Sequence, residues 1–357
     1  MSWTVDGLSY DNRKKITIQN TNINGDLTDF PVLIKIDGDT DIGNNTNADG
    51  YDIRFTQSDG STLLKYERES HTVTAGSLTA YYWVKVPGLS ATGTNEIYIY
   101  YRSADTADGA DPTNVWDANT AARYSMKDLT TSSIEDSIGA HDGTKLAVNE
   151  PIEATGKIDK GQDFDGTNDY INIGTFNDVD FSDYTQNWTV DMWVNSDTMN
   201  TEAYINIGTT NYNALSFLVG VNSGTYPFAV IGSTNGSSWT IFITSSGSYN
   251  TDTWYHWVIT NDNGQITQYI NNVADGSASI SNDIQLNNRT MKFGAHYAFN
   301  ASYYGDGTLD EIRISDIARS TDWRTFEYYN INEADNELTW GNEESAISTN
   351  IFMGFNV

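Results

Sequence analysis

Apolar and polar residues alternate repeatedly over the first 115 residues of the chain. In "KKITIQN" Ile16 and Ile18 fall on one face, and the spacing recurs in three later segments, "FPVLIKID" from residue 30, "YYWVKV" from 81 and "EIYIYYR" from 96. A period of two is typical of half-buried antiparallel strands. Turn signals such as "NGD" and "SDGS" separate the segments. The pattern predicts a small β-sandwich over residues 1–115.

The same pattern continues over residues 116–330 and predicts a second sandwich. "WTVDMWVN" places Trp188, Val190 and two further apolar residues on one face, "WYHWVIT" and "GQITQYINN" are typical of a hairpin, and "TLDEIRIS" of a closing strand. A short helix is predicted at 320–331, where Ser320 can cap the first turn. Residues 331–357 are predicted to form a tail or a closing strand. Their apolar end, "IFMGFNV", is expected to be either a last core strand or a subunit contact.

Composition narrows the functional classes. The chain has 19 Lys+Arg against 48 Asp+Glu, a formal charge of -29, so a nucleic acid would be repelled. It has no cysteine, which excludes disulfides and thiolate metal sites. The possible metal ligands are therefore oxygen atoms and scattered histidines. No apolar run approaches the roughly 18 residues of a membrane span. The N-terminus lacks a secretory leader pattern, and we expect a protein assembled in a cytoplasm, such as a viral structural protein, or one whose leader was removed.

Three Asp/Gly-rich segments carry a family resemblance: "EDSIGAHDGT" from residue 135, "FDGTNDYINIG" from 164 and "GDGTLDEIRIS" from 305. Together they resemble a laminin-G-like, concanavalin A-like module, usually a binding fold. The N-terminal region, through "RKKITIQN", "DGYDIRFTQSDGSTLL" and "IYIYYRSADTADGADPTNVWD", resembles a domain of unknown function, DUF2341, common in prokaryotic and phage surface proteins. The expected fold is all-β, two antiparallel jelly-roll or concanavalin A-like sandwiches in tandem.

A calcium site is the first chemical expectation. Asp310 shares the parity of Ile312 and Ile314, which predicts a carboxylate facing the core, and Asp136 precedes a glycine turn that offers oxygen ligands. Relatives often hold calcium where these segments meet, so the resemblance implies Asp136 and Asp310 as ligands with the Gly139 carbonyl. The alternative is that Asp310 caps a turn or accepts backbone N–H bonds without a metal.

The "FDGTNDY" turn is a second candidate. Asp165, Asn168 and Asp169 cluster there, and some calcium-dependent lectins of similar fold use such a turn. Asp and Asn are also ordinary makers of tight turns, which is the favoured interpretation.

Aromatic residues in Asn/Gly/Ser-rich segments form a candidate sugar platform. Aromatic faces are stiff and amphipathic, so they stack on sugar rings while neighbouring amides bind the hydroxyls. The candidate ligand-binding residues are Tyr212, Tyr226, Trp239, Tyr297, Tyr303 and Tyr304. Packing or subunit contact is the alternative.

Catalysis is weakly supported. "EADNE" matches the Glu-x-Asp-x-Glu spacing of concanavalin A-like glucanases at Glu333, Asp335 and Glu337, but it follows the last sandwich strand in a polar connector. His256 alternates with strand aromatics in "TWYHWV" and is expected to be a strand-face residue.

The sequence therefore predicts a non-catalytic adhesion or structural protein. We expect a virion appendage that binds glycans on host or environmental surfaces, and that contacts other virion proteins, or further copies of itself, through its N-terminal domain or C-terminal tail. The alternatives are a secreted or cell-surface carbohydrate-binding protein and a glycoside hydrolase.

Overall fold

The computed structural model describes residues 2–104, 107–146, 150–208, 216–222, 226–296 and 303–346, without the side chains of 222–229 and 334–335. It divides into two compact units, unit 1 (Met1–Asp117 with Thr325–Val357) and unit 2 (Ala118–Arg324). This division differs from the predicted boundaries, because the segment after residue 324 joins the N-terminal unit.

The strands are numbered in chain order. The first group is β1 Trp3–Val5, β2 Leu8–Tyr10, β3 Asn12–Ile18, β4 Leu27–Asp39, β5 Arg54–Gln57, β6 Leu63–Leu64, β7 Tyr66–Thr74, β8 Ser77–Leu89 and β9 Asn95–Tyr101. Then come β10 Thr120–Tyr124, β11 Asp128–Thr130, β12 Ser133–Ile134, β13 Gly143–Lys145, β14 Ile152–Thr155, β15 Lys160–Asp165, β16 Ile171–Thr175, β17 Trp188–Ser196, β18 Glu202–Ile207 and β19 Phe217–Asn222. The rest are β20 Tyr226–Gly232, β21 Ile241–Thr244, β22 Trp254–Asp262, β23 Gln265–Ile270, β24 Val273–Ser279, β25 Thr290–Phe293, β26 Ala295–His296, β27 Tyr303–Tyr304, β28 Asp306–Ser315, β29 Leu338–Trp340 and β30 Glu344–Ser345.

Helical segments are short. They are α1 Thr40–Gly43, a 3-10 turn at Pro112–Asn114, α2 Thr321–Asn332 and α3 Ala334–Glu337. In α2 the backbone N–H of Trp323 donates to Ser320 Oγ at 3.2 Å, which is the predicted cap. No helix in the described ranges is both long and apolar enough to cross a membrane.

Unit 1 is built from two facing sheets. One has the order β29-β3-β9-β5-β6, with β30 also on β3, and the other has the order β4-β8-β7. Phe55 of β5 contacts Tyr66 and Tyr82 of the opposite sheet, with ring centroids 5.3 and 5.4 Å apart. The predicted inward residues Ile16 and Ile18 are buried. Alternation in these strands therefore builds a sandwich core, as the sequence predicts.

Unit 2 is a larger sandwich of two antiparallel sheets. Sheet A has the order β14-β15-β28-β17-β22-β23-β24, with β10 also on β28. Sheet B has the order β11-β12-β13-β16-β25-β18-β19-β20-β21. Trp188, Val190, Met192 and Val194 of β17 lie in one hydrophobic core with inward residues of sheet B such as Ile171. The all-β prediction is confirmed.

A β-bulge in β28 corrects one prediction. Leu309, Ile312 and Ile314 all lie in the core, although 309 and 312 differ in parity. The register with β17 shifts here, and Glu311 has a φ of +50°. Asp310 therefore pairs with Trp193 on the face opposite the core, and the expectation that its carboxylate shares the face of Ile312 is wrong.

The segment after α2 completes unit 1. β29 and β30 both pair antiparallel with β3, Leu338 opposite Ile18 and Ser345 opposite Asn12. The apolar end "IFMGFNV" lies outside the described residues, so its prediction stays open.

Candidate functional site

The outer face of sheet B, away from the core, carries a transverse row of side chains. Asn172 of β16 is opposite Lys292 of β25, which is opposite Asn206 of β18, and Leu218 of β19 follows. Their strand neighbours, such as Ile171 and Met291, lie in the core, so period-two alternation directs this row outward. Adjacent strands are about 4.8 Å apart, so the three polar residues span roughly 10 Å.

Lys292 is held against an aromatic ring on this face. Its Nζ lies 4.7 Å from the centroid of Tyr170, which has the same outward parity as Asn172. Burial lowers the pKa of the half-buried Lys292 ammonium. We call Tyr170, Asn172, Lys292 and Asn206 the outer-face cluster. It combines ammonium and amide groups beside a tyrosine ring, which suits hydroxyl-rich ligands.

A small hairpin of β26 and β27 packs beside the cluster, against β18. His296 of β26 is buried, its Nε2 lies 3.2 Å from Ser216 Oγ, and its ring centroid is 5.9 Å from that of Tyr303. Burial lowers the pKa of His296 to about 4, so its ring is neutral near pH 7. Tyr303 and Tyr304 of this hairpin are part-exposed.

The predicted aromatic platform is only partly described. Tyr303 and Tyr304 lie on β27, and Trp239 is part-exposed in the connection between β20 and β21. Tyr226 begins β20, but its side chain lies outside the described set, as do residues Tyr212 and Tyr297 entirely. Tyr303 and Tyr304 are consecutive residues of β27, and the platform as a whole stays a prediction.

Sequence reasoning missed the outer-face cluster, although a signal was present. In "DYINIG" and "TMKFG" the core residues alternate with Tyr170, Asn172 and Lys292. Alternation predicts that these three residues point outward, away from the core. Which outward residues meet depends on strand order, which alternation does not supply.

Asp136 is an acceptor for backbone N–H groups. Its carboxylate accepts four, those of Arg123 and Ile138 at 3.0 Å, Ala140 at 3.3 Å and His141 at 3.1 Å. Gly139 has a φ of +86°, and its N–H donates to the Asp136 carbonyl. The side chain thus organises the "EDSIGAHDGT" turn.

Asp310 organises a different turn. Its Oδ2 accepts the N–H of Ile158 at 2.8 Å, and its Oδ1 accepts the N–H of Glu311 at 2.7 Å. A Cβ at Gly156 would lie 2.6 Å from Oδ2, so only glycine fits there. Asp136 and Asp310 each accept backbone N–H groups, and the calcium site with Gly139 stays a prediction.

The "FDGTNDY" turn is closed by its own acids. Asp165 Oδ1 accepts the N–H of Thr167 at 2.8 Å and of Asn168 at 3.3 Å, and Asp169 Oδ2 accepts the N–H of Asp165 at 3.0 Å. This is the geometry of an Asx turn, the interpretation that the sequence favours.

A buried ionisable pair lies on the outer face of sheet A. His256 Nε2 is 3.7 Å from Asp191 Oδ1, and the His256 ring stacks on Trp193 at 5.0 Å. Burial raises the pKa of Asp191 to about 7, partly offset by the nearby Arg313 and Arg319 guanidinium groups. His256 is a strand-face residue, as expected.

The "EADNE" acids do not alternate on a strand. Ala334–Glu337 forms α3, and the N–H of Glu337 donates to the carbonyl of Glu333 at 3.2 Å. Glu337 Oε1 accepts from Asn22 Nδ2 at 2.6 Å. The motif therefore lies on a helical segment and not on a strand.

Comparisons with known proteins support both resemblances. Residues 165–323 match the family profile of the concanavalin A-like lectin/glucanases superfamily, and residues 49–133 match the domain of unknown function DUF2341. Both predicted resemblances are confirmed. A search of the curated proteins found no match.

Solved structures include several similar folds. Domain 4 of a GH43 extracellular arabinanase from Geobacillus stearothermophilus, in complex with arabinotriose, is 22% identical with a TM-score of 0.46, covering 59% of this chain and 98% of that domain. The binding domain of Paraclostridial Mosquitocidal Protein 1 is 16% identical (TM-score 0.47), covering 62% of this chain and 54% of its own. The Botulinum neurotoxin serotype G binding domain is 17% identical with a TM-score of 0.45, covering 59% of this chain and 51% of that one. The chain thus spans about half of the two toxin binding domains.

Proposed function

We propose that this chain, whose second unit carries a concanavalin A-like module, is a non-catalytic glycan-binding protein whose ligand lies on the outer face of sheet B. The lectin/glucanase profile over residues 165–323 supports a carbohydrate-related role for unit 2. The outer-face cluster supports this location of the ligand, since it combines an ammonium group, amides and a phenol ring on one face of sheet B.

The observation that carries the proposal is the placement of Lys292. Its ammonium lies 4.7 Å from the Tyr170 ring centroid, and Asn172 stands opposite Lys292 on the neighbouring strand. The cation–π contact holds the charged group in place. An ammonium and an amide so placed can bind adjacent hydroxyls of one sugar, and hydrogen bonds from charged donors are the stronger ones.

Flanking aromatics supply ring contacts. Tyr303 and Tyr304 lie on the hairpin beside the cluster, and Phe242 of edge strand β21 is 52% exposed on the same outer face. A sugar chain held by Lys292 can stack on exposed rings of this kind.

The test begins with a glycan array probed with the full chain. The highest-affinity oligosaccharide is then titrated calorimetrically against wild type and variants. Lys292→Met removes the charged donor while keeping the alkyl stem, and we expect a loss of affinity of about tenfold or more. Tyr303→Ala should weaken binding by a smaller factor.

Lys65→Met is the matched control. Lys65 is an exposed lysine of unit 1 that pairs with Asp111 at 2.7 Å, and its removal should leave glycan affinity unchanged. Equal affinities of wild type and Lys292→Met, or no glycan bound above background, would overturn the proposal.

The biological setting is part of the proposal. We infer an adhesion role, on a virion or on a cell surface, in which unit 1 contacts a scaffold. Mass spectrometry of purified virions against culture supernatant tests the setting, and detection only in the supernatant would contradict the virion assignment.

A further inference from the structure

Lys292 is the one charged residue in the transverse row on the outer face of sheet B. Read across the paired strands from β13 to β21, the members of the row are Thr144, Asn172, Lys292, Asn206, Leu218, Ile231 and Phe242. The chain as a whole has 48 Asp+Glu against 19 Lys+Arg. The single charge of this row is therefore opposite in sign to the charge of the chain.

The Lys292 ammonium is half-buried on this face, with its Nζ 4.7 Å from the centroid of the Tyr170 ring. Burial lowers its pKa, whereas a hydrogen bond to Glu96 raises the pKa of Lys15 in unit 1. An ammonium that burial disfavours gains more from an anionic ligand group than from a hydroxyl, because the anion offsets the lost hydration of the charge. The environment of Lys292 therefore favours a negatively charged ligand group.

We infer that the outer-face cluster selects glycans that carry one carboxylate, from a uronic or a sialic acid residue, over their neutral counterparts. This inference rests on the proposed function and names its ligand class. One carboxylate oxygen accepts from Lys292 Nζ, and the other can accept from the side-chain amide of Asn172 on the neighbouring strand. Hydrogen bonds to ionised groups are roughly twice as strong as neutral ones, and the ring hydroxyls keep the contacts proposed above.

The charge of the whole chain limits the number of acidic groups on the ligand. A polyanionic glycan would extend its other carboxylates over a chain of formal charge -29 and would be repelled. At about 0.15 M salt, exposed charges more than about 8 Å apart are largely screened, so a single carboxylate in contact with Lys292 responds chiefly to that ammonium. A glycan with one acidic residue therefore gains the local attraction without the wider repulsion.

The probes are two matched pairs of small glycans. Cellobiouronic acid differs from cellobiose by a carboxylate in place of a hydroxymethyl group, and 3′-sialyllactose differs from lactose by a sialic acid residue. The first pair tests a uronic source of the carboxylate, and the second pair tests a sialic one. Disialyllactose adds a second carboxylate to the sialic pair. Affinities for the full chain are measured by calorimetric titration at about 0.15 M salt.

Three variants separate the charge of Lys292 from its packing. Lys292→Met removes the charge and keeps the alkyl stem, Lys292→Arg keeps a charge, and Lys160→Met removes a part-exposed lysine of the same unit from β15 of sheet A. Circular dichroism melting checks the fold of each. We expect wild type, Lys292→Arg and Lys160→Met to bind one of the acidic probes about five- to tenfold more tightly than its neutral counterpart. Lys292→Met should lose this preference, and disialyllactose should bind wild type no more tightly than 3′-sialyllactose.

The outcomes separate this inference from the proposed function. If wild type binds the neutral probes as tightly as the acidic ones and Lys292→Met weakens both equally, the inference is wrong and the proposed function stands. A preference for the acidic probe that Lys292→Met retains, tighter binding of disialyllactose than of 3′-sialyllactose, or no binding of either acidic probe also overturns the inference. Affinities that Lys292→Met leaves unchanged for every probe contradict the proposed function itself.

Discussion

Replacing Asp136 tests whether its carboxylate is a structural acceptor in unit 2. Asp136→Ala leaves four backbone N–H groups without their acceptor. The N–H of Arg123 is fully buried, which costs about 2 kcal/mol, and the other three are part-buried, which costs about 1 kcal/mol each because water can reach them. We expect a loss of about 4–5 kcal/mol in the free energy of unfolding.

Asp136→Asn should cost less. The amide oxygen keeps two of the N–H partners, whereas the amide nitrogen faces the N–H groups of Ala140 and His141 as a second donor. We expect about half the loss of the alanine variant. Asp178→Asn is the control, since that carboxylate is 46% exposed and pairs with His141 at 3.2 Å, a pair worth about 1 kcal/mol at most.

Urea unfolding monitored by circular dichroism and tryptophan fluorescence measures these losses. With a slope of about 3 kcal/mol per molar, the alanine variant should unfold about 1.5 M earlier in the transition of unit 2. An unchanged midpoint would refute the acceptor role. Repeating the scan with EGTA tests the calcium prediction, because a calcium ion bound only to the folded state must raise the wild-type midpoint, and the variant should lose that response.

Two further changes test other parts of unit 2. Asp191 should make folding less favourable as the pH rises from about 4 to about 7. Burial raises its pKa in the folded state to about 7, whereas the unfolded carboxyl ionises near pH ~3.9, so the folded state retains a proton that the unfolded state releases. Asp191→Asn should reduce this dependence of stability on pH, and an equal shift of the unfolding midpoint between pH 5 and pH 8 in both proteins would contradict the assignment. Gly166→Ala should lower stability by about 1–2 kcal/mol, since Gly166 has a φ of +70° and its Cβ would lie 2.8 Å from Asp306 Cγ. Gly174→Ala, at φ +81° with nothing within 4 Å, carries the backbone strain alone and should melt at a higher temperature than Gly166→Ala.

Alternation in the sequence predicts most strands of the fold, because a strand that buries one face has apolar residues at every second position. Trp188 to Val194 and the β22–β23 hairpin are examples. The predicted direction of the Asp310 carboxylate is wrong. One extra residue at the Glu311 bulge reverses the parity of β28, and a bulge has no period of its own in the sequence.

The candidate site was less predictable than the fold. The composition of their segment predicts Tyr303 and Tyr304 as candidates, whereas Tyr170, Asn172, Lys292 and Asn206 lie in segments that are distant in sequence. Their meeting depends on the order β16-β25-β18 in sheet B, which follows from long-range pairing.

The pairing of β3 with both β29 and β30 has a consequence for synthesis. β3 forms early in the chain, but its partners at Leu338–Trp340 and Glu344–Ser345 are made only after the whole of unit 2. During translation, the edge of β3 that faces away from β9 therefore lacks its strand partners until all the residues of unit 2 have been made. The last strands of unit 1 are therefore made after all of unit 2, and a chain truncated between residues 324 and 338 would have every strand of unit 2 but would lack β29 and β30.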